Sequence, residues 1–335
     1  MSLSAFTKIP VPALELEYPM HYADSAVSEA KLRETSVSTE LKSKLHRHIL
    51  NLKLKAQYAE HLNIYDFIAK VHSIGVSNHP TVNKSEKRQV LFASSLIVLL
   101  FQFDDHFEAT DPLHLTLESI AKRSKEMRSV LSSLSAHNLS GLQGSLEEWP
   151  AAVPGKEAYL WLLREADDLR EGTAELVHDT FVDYCHGVLM EIIEWQSDMY
   201  RGDFTAWNLD RYKEVRKRSS GVIFGTVGIL YITQKWIQKE HITTCTDLLY
   251  EAAIVVSFGN DILGKNRDSV DSSVIDITSL KIATSSNIVL KHNTMVKALH
   301  SKVLELEGDT RHFMEEMEAS VVGLFLWQLY SKRYL

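Results

Sequence analysis

The sequence is poor in cysteine, in proline and in positive charge. Its 335 residues include only two cysteines, Cys185 and Cys245, without metal-type spacing. That excludes a disulfide framework or a zinc knuckle, and two reduced, buried thiols are expected. There are seven prolines and none follows Pro154, so the rest of the chain can be nearly continuous helix. Lysine and arginine number 36 against 44 acidic residues, a formal charge of −8. A basic face for nucleic acid or for an anionic membrane is therefore not expected. An anionic small molecule remains compatible, because a bound metal supplies positive charge locally. The longest apolar run, Val90 to Phe103, falls short of the ~20 residues of a membrane span. It carries Ser94, Ser95 and Gln102 and reads as a buried core helix. No secretory-type stretch stands near Met1, so a cytoplasmic location is expected.

What the chain does have is helical periodicity. Apolar residues recur at three- and four-residue spacings over 41–62, 87–108, 113–134, 157–176 and 177–200. The same pattern continues over 210–218, 221–239, 246–263, 275–307 and 310–333. Alternating, strand-like runs are scarce. The expected fold is all-α, a single bundle of about ten to twelve helices around a central apolar cavity. Spaced prolines at 10, 12 and 19 predict an extended N-terminal arm over 1–24, followed by one domain over 25–335. The polar stretch 265–273 reads as a helix end running into a loop.

Two clusters of oxygen ligands interrupt the apolar pattern. In FQFDDHFE, the core helix ends on Asp104, Asp105 and Glu108, with 104 and 108 on one face. Carboxylates gathered at the end of a buried helix repel one another and need a counter-charge. Hard oxygen donors in this number suit Mg²⁺, which binds through one or two carboxylates plus substrate phosphates. In NDILGKNRD, Asn260, Gly264 and Asp268 climb one helix face in steps of four. Asn260 and Asp268 make a half-site for a divalent metal, and Arg267 adds a cation for phosphate. Asp261 belongs to the same string. Two such clusters, each closing an apolar helix, predict a metal-lined mouth over an apolar cavity.

Taken together, these motifs resemble the class I terpene synthases of the microbial type. DDHFE stands for that family's aspartate-rich motif. NDILGKNRD stands for its Asn-Asp-x-x-Ser/Thr-x-x-x-Glu triad, with Gly264 at the Ser/Thr position and Asp268 in place of Glu. YKEVRKRSSG is similar to a further segment, which makes Arg216 the diphosphate sensor and places a helix break at Gly221. The closing WQLYSKRYL resembles the C-terminal Arg-Tyr pair, here Arg333 and Tyr334. The resemblance implies metal ligands Asp104, Asp105, Glu108, Asn260, Gly264 (through water) and Asp268. It implies three Mg²⁺ ions, with Mn²⁺ able to substitute, and a prenyl diphosphate held by Arg216, Arg267, Arg333 and Tyr334. The expected reaction is ionisation and cyclisation of farnesyl or geranylgeranyl diphosphate, with a homodimer compatible. The arginines are expected to be needed only when substrate arrives. Phe101, Phe181, Trp195 and Trp327 are the candidate aromatic walls against a carbocation, Trp327 foremost.

Other acidic and histidine groups read as structural. Asp167 and Asp168 sit among alternating charges on a solvated face. His178, Asp183 and His186 do not share one clean helix face. Asn138-Leu139-Ser140 is a glycosylation string without a secretory signal. Two other functions are compatible with the pattern. One is a chain-elongating prenyltransferase, which carries a second DDxxD where this chain has NDILGKNRD. The other is a non-catalytic helical binding protein.

Overall fold

The computed structural model describes residues 6–11, 14–19, 39–55, 84–108, 115–135, 146–268, 277 and 285–330. The fold is all-α, with a single hairpin beside it among the described residues. Strands β1 (Phe6–Val11) and β2 (Leu14–Pro19) pair antiparallel, with Phe6 opposite Pro19 and Val11 opposite Leu14. Residues 6–11 and 14–19 of the expected arm are thus a two-stranded ribbon, and the rest of 1–24 lies outside the described residues. The helices are α1 (Thr39–Asn51), α2 (Lys84–Phe107), α3 (Leu117–Ser135), α4 (Lys156–Leu169) and α5 (Thr173–Met190). A π-helical segment (Glu191–Gln196) joins α5 to α6 (Ser197–Arg201). Then come α7 (Leu209–Ser219), α8 (Val222–Thr233), α9 (Lys239–Thr244), α10 (Thr246–Asp268), α11 (Ser285–Glu305) and α12 (Gly308–Tyr330).

Several boundaries depart from the periodicity, each for a local reason. Helix α1 stops at Asn51 because Lys53 takes a left-handed φ of 56°, while positions 56–62 lie outside the described residues. The break expected near 176 falls instead at 170–172. There Gly172 adopts φ 78° and the Asp167 carboxylate accepts from the Ala174 nitrogen at 3.0 Å, satisfying the new helix start. Helix α10 runs on through Gly264 to Asp268, so neither Gly264 nor Lys265 ends it. The remainder of the predicted polar loop, 269–273, lies outside the described residues.

Helix α8 sits at the centre because its sequence, VIFGTVGILYIT, has no polar face; ten of its twelve residues are buried. It packs on α2 and α5. Over Lys87–Phe107, α2 is long and apolar enough to cross a membrane, but 72 % of its apolar window is buried in the bundle. An aromatic core fixes these helices. The Phe181 ring lies 4.9 Å from Tyr159, 4.9 Å from Phe224 and 5.3 Å from Phe103, centroid to centroid. Each such ring buries on the order of 150–250 Å², so this cluster dominates the packing on that side. The hairpin docks on α11: the Glu17 nitrogen donates to Asn293 Oδ1 at 3.1 Å, Glu17 pairs with Lys297, and Leu16 is fully buried.

Candidate active site

The end of α2 places Asp104 and Glu108 one turn apart at the rim of a cavity whose deeper wall, on the same helix, is Ile97, Leu100 and Phe101. Helix α7 adds Arg216 and Ser219, α10 adds Val256, Ser257 and Asn260, and α12 adds Leu324 and Gln328. The empty space, including its open mouth, is about 760 Å³. Along α2 the apolar lining residues precede the two carboxylates, while Ser219, Ser220, Thr226 and Ser257 add hydroxyl groups elsewhere in the lining. The break between α7 and α8 borders the same cavity. Gly221 holds φ 67° there, a left-handed conformation that side-chain-bearing residues adopt only with strain, and a Cβ on it would sit 2.4 Å from Leu100 Cδ1.

One carboxylate oxygen from each of Asp104, Asp105 and Glu108 lies within 4.8 Å of the others, and all three residues are half-buried. Like charges so placed repel strongly in a partly desolvated setting. An all-oxygen donor set of this kind fits Mg²⁺, so the residues present suit the ion that the sequence motif implies. Tyr184 Oη donates to Asp104 Oδ1 at 3.0 Å and fixes its rotamer. Burial, reinforced by the Asp104 charge, pushes the Tyr184 phenol well above its ordinary pKa, so it remains a donor. Across the cavity, Gln328 Nε2 donates to Asn260 Oδ1 at 3.2 Å, while the buried Gln328 Oε1 has no hydrogen-bond partner.

Arg216 is only 7 % exposed. Its Nη1 lies 3.6 Å from Glu191 Oε2 and its Nη2 lies 3.7 Å from Asp261 Oδ1. Burial works to discharge the guanidinium, but Asp261 and Glu191 outweigh it and raise its pKa, so it stays charged. This corrects one expectation, because Arg216 already has structural ion pairs before any substrate arrives. Its Nε is buried without a hydrogen-bond partner. Asp261 is fully buried and anchored at its other oxygen, which accepts from Tyr212 Oη at 2.5 Å and from the Ile277 nitrogen at 2.9 Å.

The structure thus gathers Asp104, Glu108, Asn260, Arg216 and Phe101 around one cavity, with Asp105 in the carboxylate group. Trp327 is fully buried behind the wall, its ring 5.9 Å from that of Phe101. Phe181 and Trp195 lie away from the lining. Phe181 belongs to the aromatic core, and Trp195 packs on Trp207 and Phe204 at 5.1 and 5.2 Å. Both were candidates only for being aromatic on apolar helices, a property that core residues share. Gly264, Arg267 and Asp268 ride on the last turns of α10; the side chains of Arg267 and Asp268, like all of Arg333 and Tyr334, lie outside the described residues. Sequence reasoning missed Glu191, Tyr184, Tyr212, Ser219 and Gln328. For Tyr184, Glu191 and Gln328 the available signal was a polar group on an otherwise apolar segment, whereas Tyr212 and Ser219 stand on the polar helix α7, inside the string YKEVRKRSSG. Among the groups read as structural, Asp183 binds Arg218 at 2.8 Å and Tyr250 at 2.9 Å, and His178 meets Tyr159 at 2.6 Å. Asp168 is exposed and pairs with Arg88, and Asn138 lies outside the described residues.

The approach of α5 to α7 depends on Gly187. A Cβ there would fall 2.4 Å from the Ser219 nitrogen and 2.6 Å from Arg218 Cβ. One turn further along the same face stands Glu191, which is why it reaches Arg216. Gly187→Ala is expected to lower stability by about 1–3 kcal/mol through overpacking. Thermal unfolding checks it, and an unchanged midpoint would show that the two helices part at no cost.

No family model and no curated protein matches this chain. Solved structures do. A structure of 2-methylisoborneol synthase from Streptomyces coelicolor A3(2), with Mg²⁺ and geranyl-S-thiolodiphosphate, matches with TM-score 0.67 at 11 % identity, over 100 % of this chain and 98 % of that one. α-Eudesmol synthase matches with TM-score 0.57 at 16 % identity, over 86 % and 93 % of the two chains. A variant of cucumene synthase matches with TM-score 0.58 at 13 % identity, over 88 % and 95 %. The chain has the class I terpene synthase fold.

Proposed function

We propose that this chain is a class I terpene cyclase that ionises and cyclises a linear prenyl diphosphate, farnesyl or geranylgeranyl, and releases diphosphate. The observation that carries the reading is the single cavity bringing Asp104, Glu108, Asn260 and Arg216 to the mouth of an apolar pocket. Asp104, Asp105 and Glu108 would hold Mg²⁺ on one side and Asn260 on the other, with Asp268 and a water at Gly264 completing the second set. Three ions are proposed, with Mn²⁺ able to replace them. Bound Mg²⁺ would neutralise the diphosphate and so make it a competent leaving group.

The chain's own residues do the rest. Arg216 offers its unspent Nε donor to a diphosphate oxygen, and Arg267, Arg333 and Tyr334 are proposed to join it. Tyr184 and Gln328 orient Asp104 and Asn260. Ile97, Leu100, Val256 and Leu324 keep water from the carbocation left when the C–O bond breaks. The Phe101 face stabilises that cation by ~1–2 kcal/mol once desolvated. Incubation with geranyl, farnesyl and geranylgeranyl diphosphates plus Mg²⁺, followed by gas chromatography, tests the proposal. A cyclic hydrocarbon or alcohol formed without isopentenyl diphosphate is expected. Growth of the chain only when isopentenyl diphosphate is added would make it a prenyltransferase. No turnover of any of the three would leave a binding protein.

Trp327 acts in this scheme through Phe101. Trp327→Leu removes the ring that backs Phe101 and frees it to tilt, so a larger share of acyclic or early-quenched product is expected. Gas chromatography reads the ratio directly, and an unaltered product spectrum would confine Trp327 to packing.

A further inference from the structure

We propose that Gln196 is a positioning residue for the carboxylates at the end of α2: it holds that turn in shape before metal binds and so sets how much Mg²⁺ the site needs. The inference rests on the reading of Asp104, Asp105 and Glu108 as metal ligands and adds the residue that supports them.

The end of α2 is a poor place to keep a helix formed. The last four carbonyls of a helix have no intrahelical partner. Acidic side chains there face the negative end of the helix dipole. Asp104 and Asp105 lie in the last turn, Glu108 follows it directly, and the three carboxylates repel one another. Without a cation, this turn needs support from outside α2.

Gln196 gives that support. It is 2 % exposed, and its Nε2 donates to the carbonyl of Phe107, the last residue of α2, at 3.0 Å. Its Oε1 accepts from Arg123 Nε of α3, also at 3.0 Å. One amide thus ties three segments together at the carboxylate turn. The polarity is specific. A guanidinium only donates and a carbonyl only accepts, so the bridge needs one acceptor and one donor on a single side chain. A carboxylate or an ammonium of similar reach would meet one of the two with the wrong polarity. Arg123 also fixes which way the amide lies, and its own Nη2 reaches Ser119 Oγ at 3.4 Å. Gln196 ends the π segment, which packs against α3, and such segments recur at functional sites. It shares a small recess with Asp104, Phe107 and Glu108 but does not line the main cavity. It therefore acts on the carboxylates through the helix end, and not on substrate.

Gln196→Met in the full chain tests this, since it keeps the length of the side chain and removes both hydrogen bonds. Two measurements are needed. In metal-free protein, hydrogen exchange of the amides of 104–108 is expected to quicken at least about tenfold, with those of α8 unchanged. In turnover of the prenyl diphosphate, the half-saturating Mg²⁺ is expected to rise about tenfold, while turnover at saturating Mg²⁺ stays within about threefold of wild type. Arg123→Met leaves the bond to Phe107 but frees the amide to turn, so it is expected to move both readings the same way by about threefold. It serves as the test if Gln196→Met fails to fold. Faster exchange with an unaltered Mg²⁺ requirement makes Gln196 a structural brace only and overturns the proposal. Unaltered exchange in a folded variant overturns it as well. Wild type whose turnover is absent or ignores Mg²⁺ overturns the reading of the site itself, and the proposal with it.

Discussion

Asp104→Asn is expected to lower turnover at least ~100-fold, the scale of losing one charge-stabilising group, about 2.7 kcal/mol. Asp104 stands at the cavity rim, within 4.8 Å of its companions Asp105 and Glu108, and is oriented by Tyr184. The amide keeps the shape and one accepting oxygen but removes the charge that a hard cation needs. Removing the mutual repulsion of the cluster costs the fold nothing, so stability should hold or rise slightly. That opposite movement of activity and stability separates a ligand from a packing residue. Asn260→Leu should match the loss from the other side, since it removes the oxygen that Gln328 orients. The measurement is steady-state product formation across an Mg²⁺ titration, beside thermal unfolding. Full turnover by Asp104→Asn, or by wild type in EDTA, would end the metal reading.

The second large effect belongs to Arg216, where two substitutions have to be separated. Arg216→Ala leaves Glu191 and Asp261 facing each other in a buried setting. Removing one member of a buried ionic group costs about 3–5 kcal/mol, so this variant is expected to lose stability as well as activity. Arg216→Lys is the cleaner probe. An ammonium still answers both carboxylates, so the fold is expected to survive. It lacks the planar fork and the Nε donor, which is buried without a hydrogen-bond partner. Turnover is therefore expected to fall by about 10²–10³ in the Lys variant while circular dichroism stays unchanged. A folded Lys variant with wild-type turnover would make Arg216 a structural cation and remove it from the site.

Much of the candidate site was legible along the chain because its oxygen-bearing side chains come in local strings. Asp104 and Glu108 are one turn apart on a helix whose apolar pattern is unambiguous, and the i, i+4 rule alone puts them on one face. Asn260 stands on α10 by the same logic. Gly221 also reads from sequence, as a residue able to hold the left-handed turn between two helices. The aromatic candidates were not legible in this way. Phe101 and Phe181 occupy equally apolar helices, and only packing sends the first to the cavity wall and the second to the core.

The sequence by itself determined the helical class, the order of the motifs and the pairing of acidic residues with apolar helices. Periodicity and i, i+4 spacing are properties of one helix and need no partner. What faces what was decided only by the tertiary structure. Glu191 and Asp261 lie 25 and 45 positions from Arg216, and no local rule links them. Their meeting depends on α5 touching α7 at a glycine, and on Tyr212 and Ile277 pinning Asp261. A charge buried between two such partners is set by the whole bundle, because only the packed interior lowers the dielectric enough to make the pairing matter.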